Sequence, residues 1–105
     1  MTDQEMIELA AQAAGVDGKI IPGFIGIGIG TERDGWIFWN PLKYNGDALE
    51  LAVKLGLQIT VGRIGIQLSK LGFPDILEQP GTDPYDATRR AIVRAAAQIG
   101  EHHGN

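Results

Sequence analysis

The 105-residue sequence contains no cysteine and a single serine, Ser69. The absence of cysteine excludes disulfide bonds, thiolate nucleophiles and zinc ribbons, and it is compatible with a reducing cytoplasm. A hydroxyl triad would need Ser69 and a histidine, but both histidines, His102 and His103, follow Gly100 near the C-terminus. We therefore predict a protein that is not an enzyme and that uses neither a cofactor nor a metal ion.

Long hydrophobic runs and an excess of basic residues are also missing. The longest apolar stretch, Ile20 to Gly30, has 11 residues and includes a proline and four glycines, so it is too short to span a membrane. The N-terminus is acidic where a signal peptide is basic, so we expect a cytoplasmic protein with no membrane partner. The formal net charge of -4 disfavours nucleic acid as a partner, because nonspecific binding depends on lysine and arginine.

Periodicity and turn signals predict a single domain over residues 1–100 and a flexible tail over residues 101–105. Thr2 and Glu5 form a capping box at the start of the first helix, which Gly15 ends. The predicted helices cover residues 3–14, 47–55 and 84–99, the predicted strands cover residues 25–30, 36–39, 57–61 and 64–68, and a loop leads from residue 72 to residue 83. This order, α-β-β-α-β-β-α, predicts an α+β fold. We expect an αβα sandwich in which helices cover both faces of a mainly antiparallel four-stranded sheet.

Two helices carry more apolar surface than one face requires. The second helix has only a narrow polar stripe, which predicts that it is mostly buried. The third helix has a predicted core face formed by Tyr85, Thr88, Ile92, Ala95, Ala96 and Ile99. Val93 lies outside this stripe, and the run Ala95 to Ala97 allows close approach of another helix. We therefore predict a homo-oligomer.

Glycine alternates with isoleucine from Ile25 to Gly30, which is the period of two of a strand with one bare face. The spacing does not match a dinucleotide-binding motif, and a turn at Asp34-Gly35 follows instead of a helix. The bare face favours close packing of a helix or of another subunit. The floor of a ligand pocket is the alternative.

The candidate ligand-binding residues are two arginines of the third helix, Arg89 and Arg90, and three residues of the second strand and its end, Trp36, Trp39 and Asn40. Arg89 lies at the rim of the apolar face, where its planar guanidinium suits either a carboxylate such as that of Asp47 or an anionic ligand. The tryptophans suit either the core or stacking on a planar ligand. Asp86, Arg90 and Arg94 have the spacing of a solvated salt-bridge ladder.

Three carboxylates in the predicted loop, Asp75, Glu78 and Asp83, could form a cation site, but the neighbouring prolines favour turn and capping roles. A hydrolase that uses these carboxylates therefore ranks last among the candidate functions.

The stretches Trp39-Asn40-Pro41-Leu42, Asp47 to Leu55 and Asp83 to Ala97 resemble small phage and prophage proteins with a phage ABA-sandwich domain. The resemblance covers the second and third helices, and the first helix loosely. It implies an αβα sandwich and a phage source. It transfers no catalytic residue, since the family has no established activity, and a fold alone does not define a function.

Together these features predict a phage-encoded binding protein that sequesters a small phosphorylated or nucleotide-like ligand, for example a host defence signal. The alternative is a protein-protein interaction module, either an inhibitor of a host protein or a minor phage morphogenesis component. Residues 1–50 contain 8 acidic and 3 basic residues, a net charge of -5, and this half of the chain suits a basic partner surface.

Overall fold

A computed structural model describes residues 1–103 of the protein. The elements in chain order are α1 (Asp3–Ala14), β1 (Ile27–Thr31), β2 (Gly35–Trp39), α2 (Asn45–Leu55), β3 (Gln58–Val61), β4 (Ile66–Lys70), β5 (Phe73–Glu78) and α3 (Pro84–His103). The α+β class and the antiparallel strand pairing are confirmed.

The predicted start and end of the first helix are both confirmed. The Thr2 hydroxyl accepts a hydrogen bond from the Glu5 backbone N–H at 3.1 Å, and the Glu5 carboxylate accepts from the Thr2 backbone N–H at 3.4 Å. Gly15 ends the helix with φ at 69°, a left-handed conformation that glycine adopts without a Cβ clash. These ends are predictable because each depends on residues that lie close together in the sequence.

The β1–β2 hairpin explains the glycine tract. Gly28 lies opposite Phe38, and Gly30 lies opposite Trp36. A Cβ on Gly28 would lie 2.8 Å from Ile21 and 3.3 Å from the Trp36 ring. The bare face is therefore covered by aromatic side chains and by the segment that precedes β1. At Gly28 this cover takes the place of the closely packed helix that the bare face favoured.

The strands form two sheets, so the predicted four-stranded sheet is wrong. One sheet has the order β1-β2 and the other has the order β3-β4-β5. The outer edge of β1 is already paired, because Lys19 exchanges backbone hydrogen bonds of 2.9 and 2.8 Å with Gly28. The helix α3 packs on the three-stranded sheet, while Thr60, Gln67 and Leu77 on its other face are exposed.

The strand β5 lies in the predicted loop. Pro74 favoured a loop in the sequence, because proline donates no backbone hydrogen bond. The residue is accommodated because β5 is an edge strand, paired with β4 alone. Proline is tolerated at such an edge, where an N–H can face solvent.

Helix α2 is more exposed than predicted. Its buried residues are Ala48, Leu51, Ala52 and Leu55, whereas Leu49 and Val53 are 63% and 72% exposed. Gly56 ends the helix in the left-handed conformation, with φ at 64°. The exposed pair forms an apolar patch on the outside of the domain.

Helix α3 continues past Gly100 to His103, so the predicted helix end is wrong. Residues 101–103 of the predicted tail are helical, and residues 104 and 105 lie outside the described residues. Val93 is fully buried, and Ala95, Ala96 and Ala97 are at most 8% exposed, all within one chain. Their predicted role in a subunit interface is therefore wrong, as is the burial of Tyr85, which is 70% exposed.

Candidate functional site

An open groove lies between α2, the first turns of α3 and the edge strand β3. We call it the α2–α3 groove. Its volume is about 630 Å³. Its apolar wall consists of Ala48, Leu49, Ile59, Val61 and Ile92, and its polar groups belong to Asn45, Tyr85, Thr88 and Arg89. This size and this mixture are typical of sites for small organic ligands.

Three residues of the groove expose apolar surface that folding does not bury. Leu49, Val61 and Tyr85 are 63%, 58% and 70% exposed. They come from three different elements and line one concavity. A ligand that covered them would gain about 25 cal/mol for each Å² of apolar surface removed from water.

Arg89 is the charged residue of the groove lining. Its Nε–H donates to the Leu42 carbonyl at 3.0 Å, one terminal nitrogen donates to Asn45 Oδ1 at 2.7 Å, and the other lies 3.5 Å from Asp86. Its side chain is only 16% exposed. These contacts fix the guanidinium plane at the groove, so little side-chain entropy remains to be lost when an anion binds.

Arg89 does pair with a carboxylate, but Asp47 was the wrong example of one. Asp47 accepts a hydrogen bond from the Asn40 backbone N–H at 2.9 Å, and thereby ties the end of β2 to the start of α2. The Arg89 carboxylate partner is Asp86, one turn earlier on α3. The i,i+3 spacing of Asp86 and Arg89 on one helix was a sequence signal for this pair. The position of Asp47, in contrast, depends on how α2 packs on α3.

The predicted salt-bridge ladder on α3 does not form either. Arg90 pairs with Asp3 of α1 at 3.3 Å, and Arg94 pairs with Glu78 of β5. Each arginine therefore links α3 to a different element.

The five predicted ligand-binding residues do not share one cavity. Arg89 lines the α2–α3 groove, Trp39 lines a second cavity of about 360 Å³ beside Asp47 and Glu50, and Arg90 lines a third of about 260 Å³. Trp36 is half-buried beside Gly28. Of the five predicted residues, only Arg89 therefore lines the α2–α3 groove.

Trp39 and Asn40 are both buried, at 5% and 8% exposure. The Asn40 amide oxygen accepts from the Leu42 N–H at 3.0 Å, and its amide nitrogen lies 3.5 Å from the Ile25 carbonyl. Within residues 1–103, the indole N–H of Trp39 has no hydrogen-bond partner. The Asn40 side chain therefore stabilises the turn after β2, whereas the indole N–H of Trp39 is an unpaired donor in the core.

The three loop carboxylates also have separate structural partners. Asp75 accepts from Gln67 at 2.8 Å, Glu78 pairs with Arg94, and Asp83 accepts from the Tyr85 N–H at 3.0 Å. Among the side chains of residues 1–102, no group of three or more acidic, histidine or cysteine residues is close enough to hold a metal ion. His102 packs edge-on against Phe73, with ring centroids 5.5 Å apart.

Sequence reasoning missed the groove-lining residues Leu49, Val61 and Tyr85. A signal was present for Leu49, because it projects away from the stripe formed by Ala48, Leu51, Ala52 and Leu55 on a helical wheel. Tyr85 and Val61 carried no such signal, since their neighbours in the groove are distant in sequence.

No helix among residues 1–103 is long and apolar enough to cross a membrane. Comparisons with protein-family models, with curated proteins and with solved structures found no match to this chain.

Proposed function

We propose that this chain is a non-enzymatic binding protein whose ligand occupies the α2–α3 groove. The ligand is a small amphipathic anion with an apolar or planar body and one phosphate or carboxylate group. The observation that carries the proposal is an exposed apolar groove whose lining includes one fixed guanidinium. The body would cover Leu49 and Val61, and the anionic group would meet Arg89.

The polar groups of the groove favour binding over turnover. Asn45, Tyr85 and Thr88 offer amide and hydroxyl groups that can orient a ligand, and the lining contains no carboxylate, histidine or cysteine. Such a set lacks the paired acid and base that most hydrolytic mechanisms require. Sequestration needs only affinity, which the apolar wall and Arg89 supply.

The narrower proposal of a phosphorylated or nucleotide-like ligand uses the same groove. Arg89 would bind the phosphate, and the exposed Tyr85 ring would take the stacking role predicted for the tryptophans. Arg90, Trp36, Trp39 and Asn40 would then serve the fold. In this version the chain is a phage protein that captures a defence signal in the host cytoplasm. The resemblance to the phage ABA-sandwich family implies the phage source alone, and the defence signal is part of our proposal.

Isothermal titration calorimetry with octanoate, phenyl phosphate and AMP, each beside an uncharged counterpart, tests the ligand class. We expect the Arg89→Gln variant to bind the anionic probes at least tenfold more weakly, because a hydrogen bond to a charged group contributes about 1.5–3 kcal/mol. The uncharged octanol, phenol and adenosine should be affected much less.

Arg90→Gln is the matched control, because Arg90 lies on the same helix but pairs with Asp3 away from the groove. It should bind every probe as the unmodified protein does. Equal loss in the two variants, or no binding of any probe by a folded sample, would contradict the proposal.

The apolar wall is tested by Leu49→Gln. We expect octanoate affinity to fall several-fold while the free energy of unfolding changes by less than about 0.5 kcal/mol, because the residue is largely exposed. Val53→Gln is the control, since Val53 lies one turn later on α2 and outside the groove lining. Calorimetry and urea unfolding measure the two quantities. An equal loss of affinity in both variants would assign the effect to the helix as a whole.

A protein-protein interaction module is the second candidate function. The negative charge of residues 1–50 favours a basic partner. A pulldown from host lysate that returns one stoichiometric basic protein, together with no calorimetric signal from the small anions, would select this candidate over the first.

A further inference from the structure

The strand β3 has one free edge. It pairs with β4 on one side, and the sheet ends there. The backbone N–H of Gly62 donates to the Gly65 carbonyl at 2.9 Å, so these residues form a hydrogen-bonded pair at the hairpin end. Because such pairs alternate along an antiparallel ladder, Thr60 and Gln58 bond toward β4, while Ile59 and Val61 direct their backbone groups away from it.

The four outward groups are free to bond with an added strand. Within the described residues, neither the N–H nor the C=O of Ile59 or Val61 takes part in a hydrogen bond outside the ladder. The opposite edge of the sheet is protected, because β5 carries Pro74 and Asp75. The sequence of β3, Gln-Ile-Thr-Val, has no proline and no charge. It carries neither the proline nor the charged side chain that protects β5.

Apolar surface flanks this edge. Val61 is 58% exposed, and Ile64 in the turn after it is 91% exposed. An added strand would remove such surface from water and satisfy the four backbone groups together. Recognition by strand addition depends on this combination of main-chain hydrogen bonds and side-chain contacts.

We propose that the strand that docks here is β3 of a second copy of this chain, antiparallel and related by a twofold axis at Thr60. Ile59 would then exchange backbone hydrogen bonds with Val61 of the partner subunit, and Val61 with the partner's Ile59. All four outward groups are satisfied, and the two Thr60 side chains meet in a non-hydrogen-bonded pair on the exposed face.

Two properties of β3 fit a second copy of the same strand: its side chains alternate between the two faces of the sheet, and it carries no charge. Residues opposite each other in an antiparallel pair point to the same face, so this register keeps Ile59 and the partner's Val61 on the face that α3 covers. The chain has a net charge of -4, but β3 itself is uncharged, so the contact brings no like charges together. A closed twofold contact also leaves neither copy of β3 free for further pairing.

The pairing would join the two three-stranded sheets into one six-stranded sheet. The twofold axis lies perpendicular to the sheet, so both α2–α3 grooves would open on the same face, side by side. The pairing uses the backbone groups of Ile59 and Val61, whose side chains line the groove, while the Thr60 side chain lies on the other face. The inference does not require a ligand to bind.

Sedimentation equilibrium of the full chain tests the proposal, with an expected mass of twice 11.3 kDa. Thr60→Lys should give a monomer, because it would place two ammonium groups at the twofold axis. Thr60→Glu should also give a monomer, because it would place two carboxylates at the axis. An equimolar mixture of the two variants should form a dimer again. This rescue requires that the two residues at position 60 meet directly.

Gln67→Lys is the matched control, because Gln67 lies beside Thr60 on the same exposed face but on the inner strand β4. It should remain dimeric. Since the chain has no native cysteine, Thr60→Cys should form an intermolecular disulfide under mild oxidation, while Gln67→Cys should not.

A monomeric unmodified protein, or a dimer that persists in a folded Thr60→Lys variant, would overturn the proposal. Circular dichroism establishes that each variant is folded. The same calorimetric probes, applied to monomeric Thr60→Lys, measure ligand binding without the dimer. A dimeric protein that binds no probe would contradict the ligand proposal alone. A monomeric unmodified protein that binds the probes would contradict the dimer alone.

Discussion

Replacing Gly100 with alanine is expected to destabilise the protein by about 1–3 kcal/mol or more, although alanine is the better helix former. Gly100 lies within α3, where the helix crosses α1. A Cβ at this position would lie 2.8 Å from the carbonyl carbon of Leu9 and would overlap its oxygen. Relief requires the two helix backbones to move apart, and that movement would loosen the packing between α1 and α3.

Gly46→Ala is the matched control because Gly46 is also helical, but a Cβ there meets no atom within 4 Å. We expect this variant to be more stable by up to about 1 kcal/mol, since alanine restricts the unfolded chain and favours the helix. Urea unfolding monitored by circular dichroism measures both changes. A stabilised Gly100→Ala variant would show that α1 and α3 are further apart than the structure places them.

Replacing Trp39 with alanine should give the other large loss, about 3–5 kcal/mol, because it removes the largest side chain of the core. Domains of this size are typically stable by about 5–15 kcal/mol, so the variant would be near the limit of folding. Ile37→Ala, on the same face of β2 but 74% exposed, should cost no more than about 1 kcal/mol.

The unpaired indole N–H adds a finer test at the same position. Trp39→Phe keeps most of the apolar ring and removes a buried donor that has no partner within the described residues. Leaving such a donor unsatisfied costs about 1–3 kcal/mol, so we expect a markedly smaller loss than for alanine. An equal loss in the two variants would mean that the N–H is bonded in solution, for instance to an ordered water molecule.

The five predicted ligand-binding residues illustrate how far sequence reasoning reaches. The position of Arg89 on the rim of the α3 apolar face predicts either a carboxylate partner or an anionic ligand. In the structure Arg89 pairs with Asp86 and also lines the groove. The prediction for the other four depends on chemical type and on nearness in sequence to Arg89 or to one another. Side chains converge only when their elements pack together, and here Arg90 and Trp39 face different cavities.

Features that depend on neighbouring residues can be predicted from the sequence alone. The capping box at Thr2, the left-handed helix ends at Gly15 and Gly56, and the two hairpins follow from local conformational preferences. Each involves residues a few positions apart, so local chemistry is sufficient to specify it.

The way in which those pieces combine depends on packing between distant parts of the chain. Lys19 occupies the edge of β1 and thereby separates the sheets, and β4 provides the partner that makes β5 a strand. Glycine commonly ends helices, but Gly100 lies inside α3, where it allows α1 to cross closely because the Leu9 backbone lies against it. These outcomes require contacts between distant residues, whose free energy can exceed local preferences by several kcal/mol and which sequence periodicity does not encode.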